Sequence, residues 1–217
     1  MSSFFKSRRG IKTIFFDIGG VIVKAPMLDY LKYGSEIFEC DPQLLEDATA
    51  KVLPELETGQ IQSQEFWERV SRDLAERANT KAIPAWRFKG FWEGILTEDM
   101  TVNKEMIEMI RRLKAHVRVA ALSNVIKEHA IVMQRLDVYH HFNPVVLSCK
   151  IGLRKPDLAV YKKAAELADT PMDRCLLIDD SLENLEAAQK AGFRVLQFTD
   201  IHDVKRAMNG LGFLSRG

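Results

Sequence analysis

The sequence predicts an α/β fold: a doubly wound parallel sheet with a small α-helical domain inserted after its first strand. Three observations lead there. From about Arg118 onward, short apolar runs alternate with segments of helical periodicity, the rhythm of crossover units and hence of parallel strands. Those runs are continuously apolar, as strands covered on both faces by helices must be. Between about Pro26 and Thr97 the alternation stops, and only helical patterns remain. The expected division is a Rossmann-like core of residues 1–25 and 98–217 and a helical cap of residues 26–97.

The elements follow in order. "IKTIFFDIGGVIVK" (11–24) begins as a buried strand, stops on Asp17 and continues into two glycines. The inserted block reads as helices around 28–39, after Asp41-Pro42, from Ser63, and around 85–95, with Thr58-Gly59-Gln60 as a break. Its two ends must lie close together where the first strand leaves the sheet. Met106, Ile107, Ile110 and Leu113 recur at helical spacing before the strand "RVAAL" (118–122). A helix near 126–136 precedes the strand "NPVVLS" (143–148), and a helix from Leu158 to Ala168 starts behind Asp157 as its N-cap. "RCLLID" (174–179) is the next strand. Ser181 caps the helix after it, Gly192 closes that helix, and "FRVLQF" (193–198) is the last strand.

Bulk composition narrows the function. Thirty-one basic side chains nearly cancel thirty acidic ones, leaving a net charge of +1 and no reason to expect nucleic acid or an anionic membrane as partner. Cys40, Cys149 and Cys175 form no CxxC, which points to reduced thiols in a cytoplasmic compartment rather than to a disulfide frame or zinc site. No apolar run is long enough to cross a bilayer, and the N-terminus lacks the apolar region of a secretion signal. His140-His141 reads as a packed or exposed pair near an element end. Trp86, Phe88, Phe91 and Trp92 fall near helical spacing and read as packing, with Arg87, Lys89 and Trp67 as conceivable specificity contacts.

In an open parallel sheet, ligands bind beyond the C-terminal ends of the strands. Here those ends carry Asp17, Ser123-Asn124 and Asp179-Asp180, with Lys155 in the loop after the third strand. Carboxylates, a hydroxyl, a carboxamide and an ammonium on one rim suit a phosphate dianion held with a divalent metal.

The motifs resemble those of the haloacid dehalogenase-like hydrolase superfamily, in order and over nearly the whole chain. "FFDIGGV" resembles the first, "ALSN" the second, "KIGLRKPDLAVY" the third and "LIDDSLEN" the fourth. The resemblance implies a phosphatase using an aspartyl-phosphate, with Asp17 as nucleophile and Lys155 beside it. It implies phosphate contacts from Ser123, Asn124 and the backbone at Gly19 and Gly20. It also implies Mg2+ held by Asp17, the Gly19 carbonyl, Asp179 and Asp180, with Asn184 one helical turn on. The helical block resembles the family's first-type cap, as in sugar-phosphate phosphatases and the phosphatase domain of soluble epoxide hydrolase. The implied partner is a small phosphorylated metabolite.

One residue departs from the pattern. Most phosphatases of this kind carry an aspartate two places after the nucleophile, which protonates the leaving group and then activates water; here it is Gly19. Two other readings therefore stand beside the phosphatase. One is a metal-free haloacid dehalogenase using the same Asp17, and the other is a catalytically weak module that binds a phosphorylated ligand or a protein.

Overall fold

The computed structural model describes residues 10–24, 29–78, 81–98 and 100–214. Five strands form one parallel sheet: β1 (Thr13–Phe16), β4 (Arg118–Ser123), β5 (Val145–Leu147), β6 (Cys175–Asp179) and β7 (Arg194–Gln197), in the order β5-β4-β1-β6-β7. The chain winds outward from β1 to β4 and, through α7 (Lys127–Arg135), to β5, then crosses back to β6 and β7, so strand order reverses beside β1. Thr13 is in register with both Arg118 and Cys175, which brings the C-terminal ends of β1, β4 and β6 to one edge.

Both sheet faces are buried. On one, Ile14 and Phe16 join Met106, Ile110 and Met208 from α6 (Lys104–Leu113) and α11 (Ile201–Gly210). On the other, Phe15 and Leu177 join Tyr161 and Ala188 from α9 (Leu158–Leu167) and α10 (Leu182–Ala191). Alternate residues of "TIFF" thus enter opposite cores, which is why the run carries no polar face.

The strands are shorter than the apolar runs that predict them. Arg174 belongs to a 3-10 turn (Met172–Arg174) rather than to β6, and Ser148 already opens the short helix α8 (Ser148–Ile151). Pro144 has no N–H to give a ladder, and β5 starts after it. Asp157 takes the extended backbone of an N-cap, but its side chain accepts no capping bond; Ser181 Oγ does accept one, from Asn184 N at 3.4 Å. Gly192 ends α10 at φ +102°, a left-handed turn that favours glycine.

Between the first strand and α6 lie α1 (Asp29–Phe38), α2 (Pro42–Ala50), α3 (Leu53–Glu57), α4 (Ser63–Ala78), a 3-10 turn (Ala85–Phe88) and α5 (Phe91–Glu98). Asp41 caps α2 through Gln43 N at 2.8 Å, with Pro42 in the first turn. A two-residue antiparallel ribbon, β2 (Val23–Lys24) with β3 (Thr101–Val102), joins the entry and exit of this helical region. The region has its own aromatic core, with Trp67 stacked on Phe88 at 4.2 Å and on Trp92 at 5.3 Å, and Ile126 from the sheet domain packs into it. Trp86 departs from the expected packing and is 75% exposed. Gly90, at φ +74°, breaks the segment between the 3-10 turn and α5, so one helical period does not run through all four aromatics.

Candidate active site

β1 carries Asp17 past its last ladder residue: Asp17 N–H still donates to Ile178 C=O at 2.9 Å, and Asp17 Oδ1 accepts from Ile18 N–H at 2.7 Å. Lys155, only 1% exposed, reaches in from the loop before α9. Its Nζ lies 3.0 Å from Asp17 Oδ1 and 2.6 Å from Asp179 Oδ2. An ammonium this deep costs several kcal/mol of lost hydration unless it is paired. Two carboxylates meet it here.

Asp179 works as a hub. One oxygen takes Lys155 and the other accepts from Ser181 N–H and Asn184 Nδ2, each at 3.0 Å. Asn184 therefore anchors Asp179 at the start of α10. Asn124 does for the Lys155 backbone what Asp179 does for its side chain. Its Oδ1 accepts from Lys155 N–H at 2.9 Å and its Nδ2 donates to Lys155 C=O at 2.8 Å. This carboxamide, expected at the phosphate, spends its acceptor and one of its donor protons on positioning the Lys155 backbone.

The two glycines differ in kind. Gly20 has φ +73°, and a Cβ there would lie 2.0 Å from Asp180 Oδ2, so the third carboxylate reaches the loop only because residue 20 is bare. A Cβ on Gly19 would meet nothing within 4 Å, and its backbone is not left-handed. The fold does not require glycine at 19. The backbone donors differ as well. Ile18 N–H is taken by Asp17 and Gly20 N–H by Val23 C=O at 2.9 Å, while Gly19 N–H and Asn124 N–H have no partner among the described residues. The Gly20 N–H, expected at the phosphate, is engaged within the loop. Ser123 Oγ, buried at the end of β4, makes only a long 3.4 Å contact to Asn124 C=O.

Asp17, Asp179 and Asp180 offer oxygens within 4.8 Å of one another. Three carboxylates against one ammonium leave negative charge in excess. Burial raises the Asp17 carboxyl to about 7, with Asp179 pushing the same way, and Lys155 and the Ile18 N–H opposing without prevailing. Burial and Asp179 also raise Asp180. Burial opposes the charge on Lys155, and Asp17 with Asp179 outweighs it, so its pKa rises and the ammonium is kept. Without a metal, the pair of acids outnumbers the single ammonium. An all-oxygen, over-acidic set of this kind fits a hard divalent cation such as Mg2+.

A cavity of about 100 Å³ is lined by Ile18 and Gly19, which follow Asp17 in the chain, and by Ser123 at the end of β4. Its walls are mainly apolar, with Trp92 and Ile95 from the helical region and Ile126, Met133 and Tyr139 from the sheet domain. Glu57 closes one side and pairs with Arg154 at 2.7 Å, a tie between the helical region and the Lys155 loop. Sequence reasoning did not single out this tie, Tyr139 or His129, and no periodicity or motif marks them. Arg87, Lys89 and Trp67 do not line this cavity; Trp67 and Lys89 border a larger groove of about 790 Å³ that shares only Trp92 with it.

A family model for haloacid dehalogenase-like hydrolases matches residues 11–192. A sesquiterpene phosphatase of Aspergillus oryzae is 33% identical over 103 residues, covering 45% of this chain and 51% of its own length. A drimenol cyclase of Aspergillus calidoustus is 28% identical over 119 residues, 52% of this chain and 22% of its own length. The chain thus spans about half or less of these curated relatives. Among solved structures, a HAD family enzyme of Bacteroides thetaiotaomicron in complex with magnesium superposes with a TM-score of 0.71 at 21% identity, covering 91% of this chain and all of the other. A 2-haloacid dehalogenase of Pseudomonas syringae does so at 0.60 and 18% identity, over 87% and 86%. At these identities the structures speak for the fold.

Proposed function

The chain belongs to the haloacid dehalogenase-like hydrolase family, and from that premise we propose that it is a magnesium-dependent phosphatase. It hydrolyses a phosphate monoester of a small metabolite through an aspartyl-phosphate on Asp17. The observation that carries this reading is Asp180, seated against Gly20 within reach of Asp17 and Asp179. A dehalogenase that needs no metal has no use for that third carboxylate.

The residues divide the work as follows. Asp17 attacks phosphorus, and its charge meets a dianion; two unit charges at about 4 Å repel by roughly 4 kcal/mol at an effective dielectric near 20, about three powers of ten in rate. Lys155 neutralises part of that charge and fixes the Asp17 carboxylate by its 3.0 Å contact. Asp179 and Asn124 hold Lys155 from either end. Ser123 Oγ, Gly19 N–H and Asn124 N–H donate to the transferring oxygens, where preorganised donors count most. Asp17, Asp180, Asp179 and the Gly19 carbonyl are the groups that would hold Mg2+. When bound, Mg2+ supplies Lewis-acid neutralisation of the phosphoryl oxygens and the nucleophile.

The helical region is assigned to the first cap type, closing over Asp17 to exclude water and select the substrate. The apolar cavity and the sesquiterpene phosphatase relative support an isoprenoid or similarly apolar phosphate ester over a sugar phosphate, whose hydroxyls would leave few partners here. Three uncrosslinked cysteines support a reducing, cytoplasmic setting, and no described helix is long and apolar enough to cross a membrane.

Gly19 is the observation that favours a second reading, a weakly catalytic phospho-ligand binder. One assay separates the readings: para-nitrophenyl phosphate and 2-chloropropionate, each with Mg2+ or a chelator, beside Asp17→Asn. Phosphate release that needs Mg2+ and is lost in the variant supports the phosphatase. Halide release in chelator supports the dehalogenase. Inactivity on both, with Mg2+ plus phosphate analogue still raising Tm, supports the binder.

A further inference from the structure

A phosphatase without an acid at position 19 must still neutralise an alkoxide as it leaves. Proton transfer of this kind is worth about 10²–10⁴-fold. Among the described residues, four side chains with an ionisable proton line the cavity that Gly19 and Ser123 also line: Tyr30, Glu57, His129 and Tyr139. Three are already engaged. Tyr30 Oη bonds Thr49 Oγ1 at 3.3 Å and His129 Nε2 bonds the Trp92 carbonyl at 3.0 Å, while Glu57 Oε2 ion-pairs with Arg154 Nε at 2.7 Å without hydrogen-bond alignment, and burial raises its carboxyl against that pairing. Burial also lowers the His129 pKa, so its ring is neutral and its N–H serves that carbonyl.

Tyr139 is the exception. It is 7% exposed, and among the described residues its hydroxyl has neither a hydrogen-bond partner nor an ion pair. A buried hydroxyl left unpaired loses its hydration without compensation, and such groups in native proteins call for an explanation. Tyr139 lines the same cavity as Gly19 and Ser123, and burial raises its pKa, with Cys149 and then Asp17 adding to the rise. Trp92 Nε1 is also unpaired on this cavity, but an indole N–H does not give up its proton.

We propose that the Tyr139 hydroxyl is the proton donor that stands in for the missing acid at position 19, a role that rests on the phosphatase reading. In the first step the Asp17–phosphorus bond forms and the ester P–O bond breaks. The electron pair stays on the leaving oxygen, which takes the Tyr139 proton and departs as the alcohol. In the second step water adds to phosphorus and gives one proton to the Tyr139 phenolate as the Asp17–phosphorus bond breaks. The net change is ester plus water to alcohol plus phosphate. A buried phenol is a weak acid, yet an alkoxide is more basic than a phenolate, so transfer is downhill as the P–O bond opens.

The test compares Tyr139→Phe with wild type on an alkyl phosphate and on para-nitrophenyl phosphate, whose leaving group needs no proton. We expect the alkyl kcat to fall about a hundredfold or more and the aryl kcat to fall by less than about tenfold. Adding Gly19→Asp to Tyr139→Phe, into space that is open, is expected to restore alkyl hydrolysis. Equal falls on both substrates, with or without a drop in Tm, would mean that Tyr139 only packs, and would overturn the proposal. So would a collapse of alkyl turnover in Glu57→Gln with Tyr139→Phe near wild type. Failure of the wild type to hydrolyse the aryl ester with Mg2+ would overturn the phosphatase reading itself, and this role with it.

Discussion

Gly20 and Asp180 share one volume: a methyl group on residue 20 would sit 2.0 Å from Asp180 Oδ2. The glycine is there for the carboxylate. Gly20→Ala must displace Asp180 and adopt a φ of +73° that alanine disfavours. It is expected to lose more than about 1 kcal/mol of stability and at least about tenfold in Mg2+ affinity. Gly19→Ala meets neither obstacle and should stay within about 0.5 kcal/mol of wild type. Thermal melts with and without Mg2+ check both, and equal effects of the two variants would contradict this distinction.

Lys155 separates two buried acids. Lys155→Met keeps the volume and leaves Asp17 and Asp179 uncompensated, for an expected loss of about 3–5 kcal/mol. Adding Asp179→Asn should recover part of that loss without recovering activity. Denaturant midpoints of the single and double variants measure the recovery.

Burial of Asp17, only partly offset by the shared ammonium, also sets a pH dependence. In the metal-free protein the Asp17 carboxyl rises from an ordinary 3.8 to about 7, so the folded state holds this proton more tightly than the unfolded chain. Its contribution to stability is fully present below about pH 4 and is lost as pH climbs to about 7. The Tm of wild type, measured in chelator, should therefore fall relative to Asp17→Asn across that window. Near pH 6, Mg2+ binding should release a proton, seen as a dependence of the binding heat on buffer ionisation.

Cavity chemistry orders the substrates. With Trp92, Ile95, Ile126 and Met133 on its walls, kcat/KM should be higher for a prenyl-type phosphate than for glucose 6-phosphate. Trp92→Ala should erode that preference while also costing about 3–5 kcal/mol, because Trp92 belongs to the aromatic core of the helical region. A preference that survives the substitution would place substrate selection elsewhere.

Much of the frame was legible in the residues. An apolar run that ends on Asp17, Ser123 or Asp179 announces a buried strand with polar groups at its tip, and a parallel sheet brings such tips together. What the residues did not reveal was how the polar groups are allotted. Asn124 bonding the Lys155 backbone, Gly20 yielding to Asp180 and the Gly20 N–H turning back to Val23 depend on contacts between distant segments. The ribbon of Val23–Lys24 with Thr101–Val102 is too short for any period, and Gly90 hides the outward turn of Trp86. Tyr139 stands out only once burial and the lack of a partner are known.

The most direct measurement is a rapid acid quench during turnover of a phosphate ester labelled in its phosphoryl group, followed by peptide mapping. Label on the peptide that contains Asp17, formed with Mg2+ and absent in chelator, is the predicted result. Full-rate phosphate release with that peptide unlabelled, or release undiminished in Asp17→Asn, would contradict it.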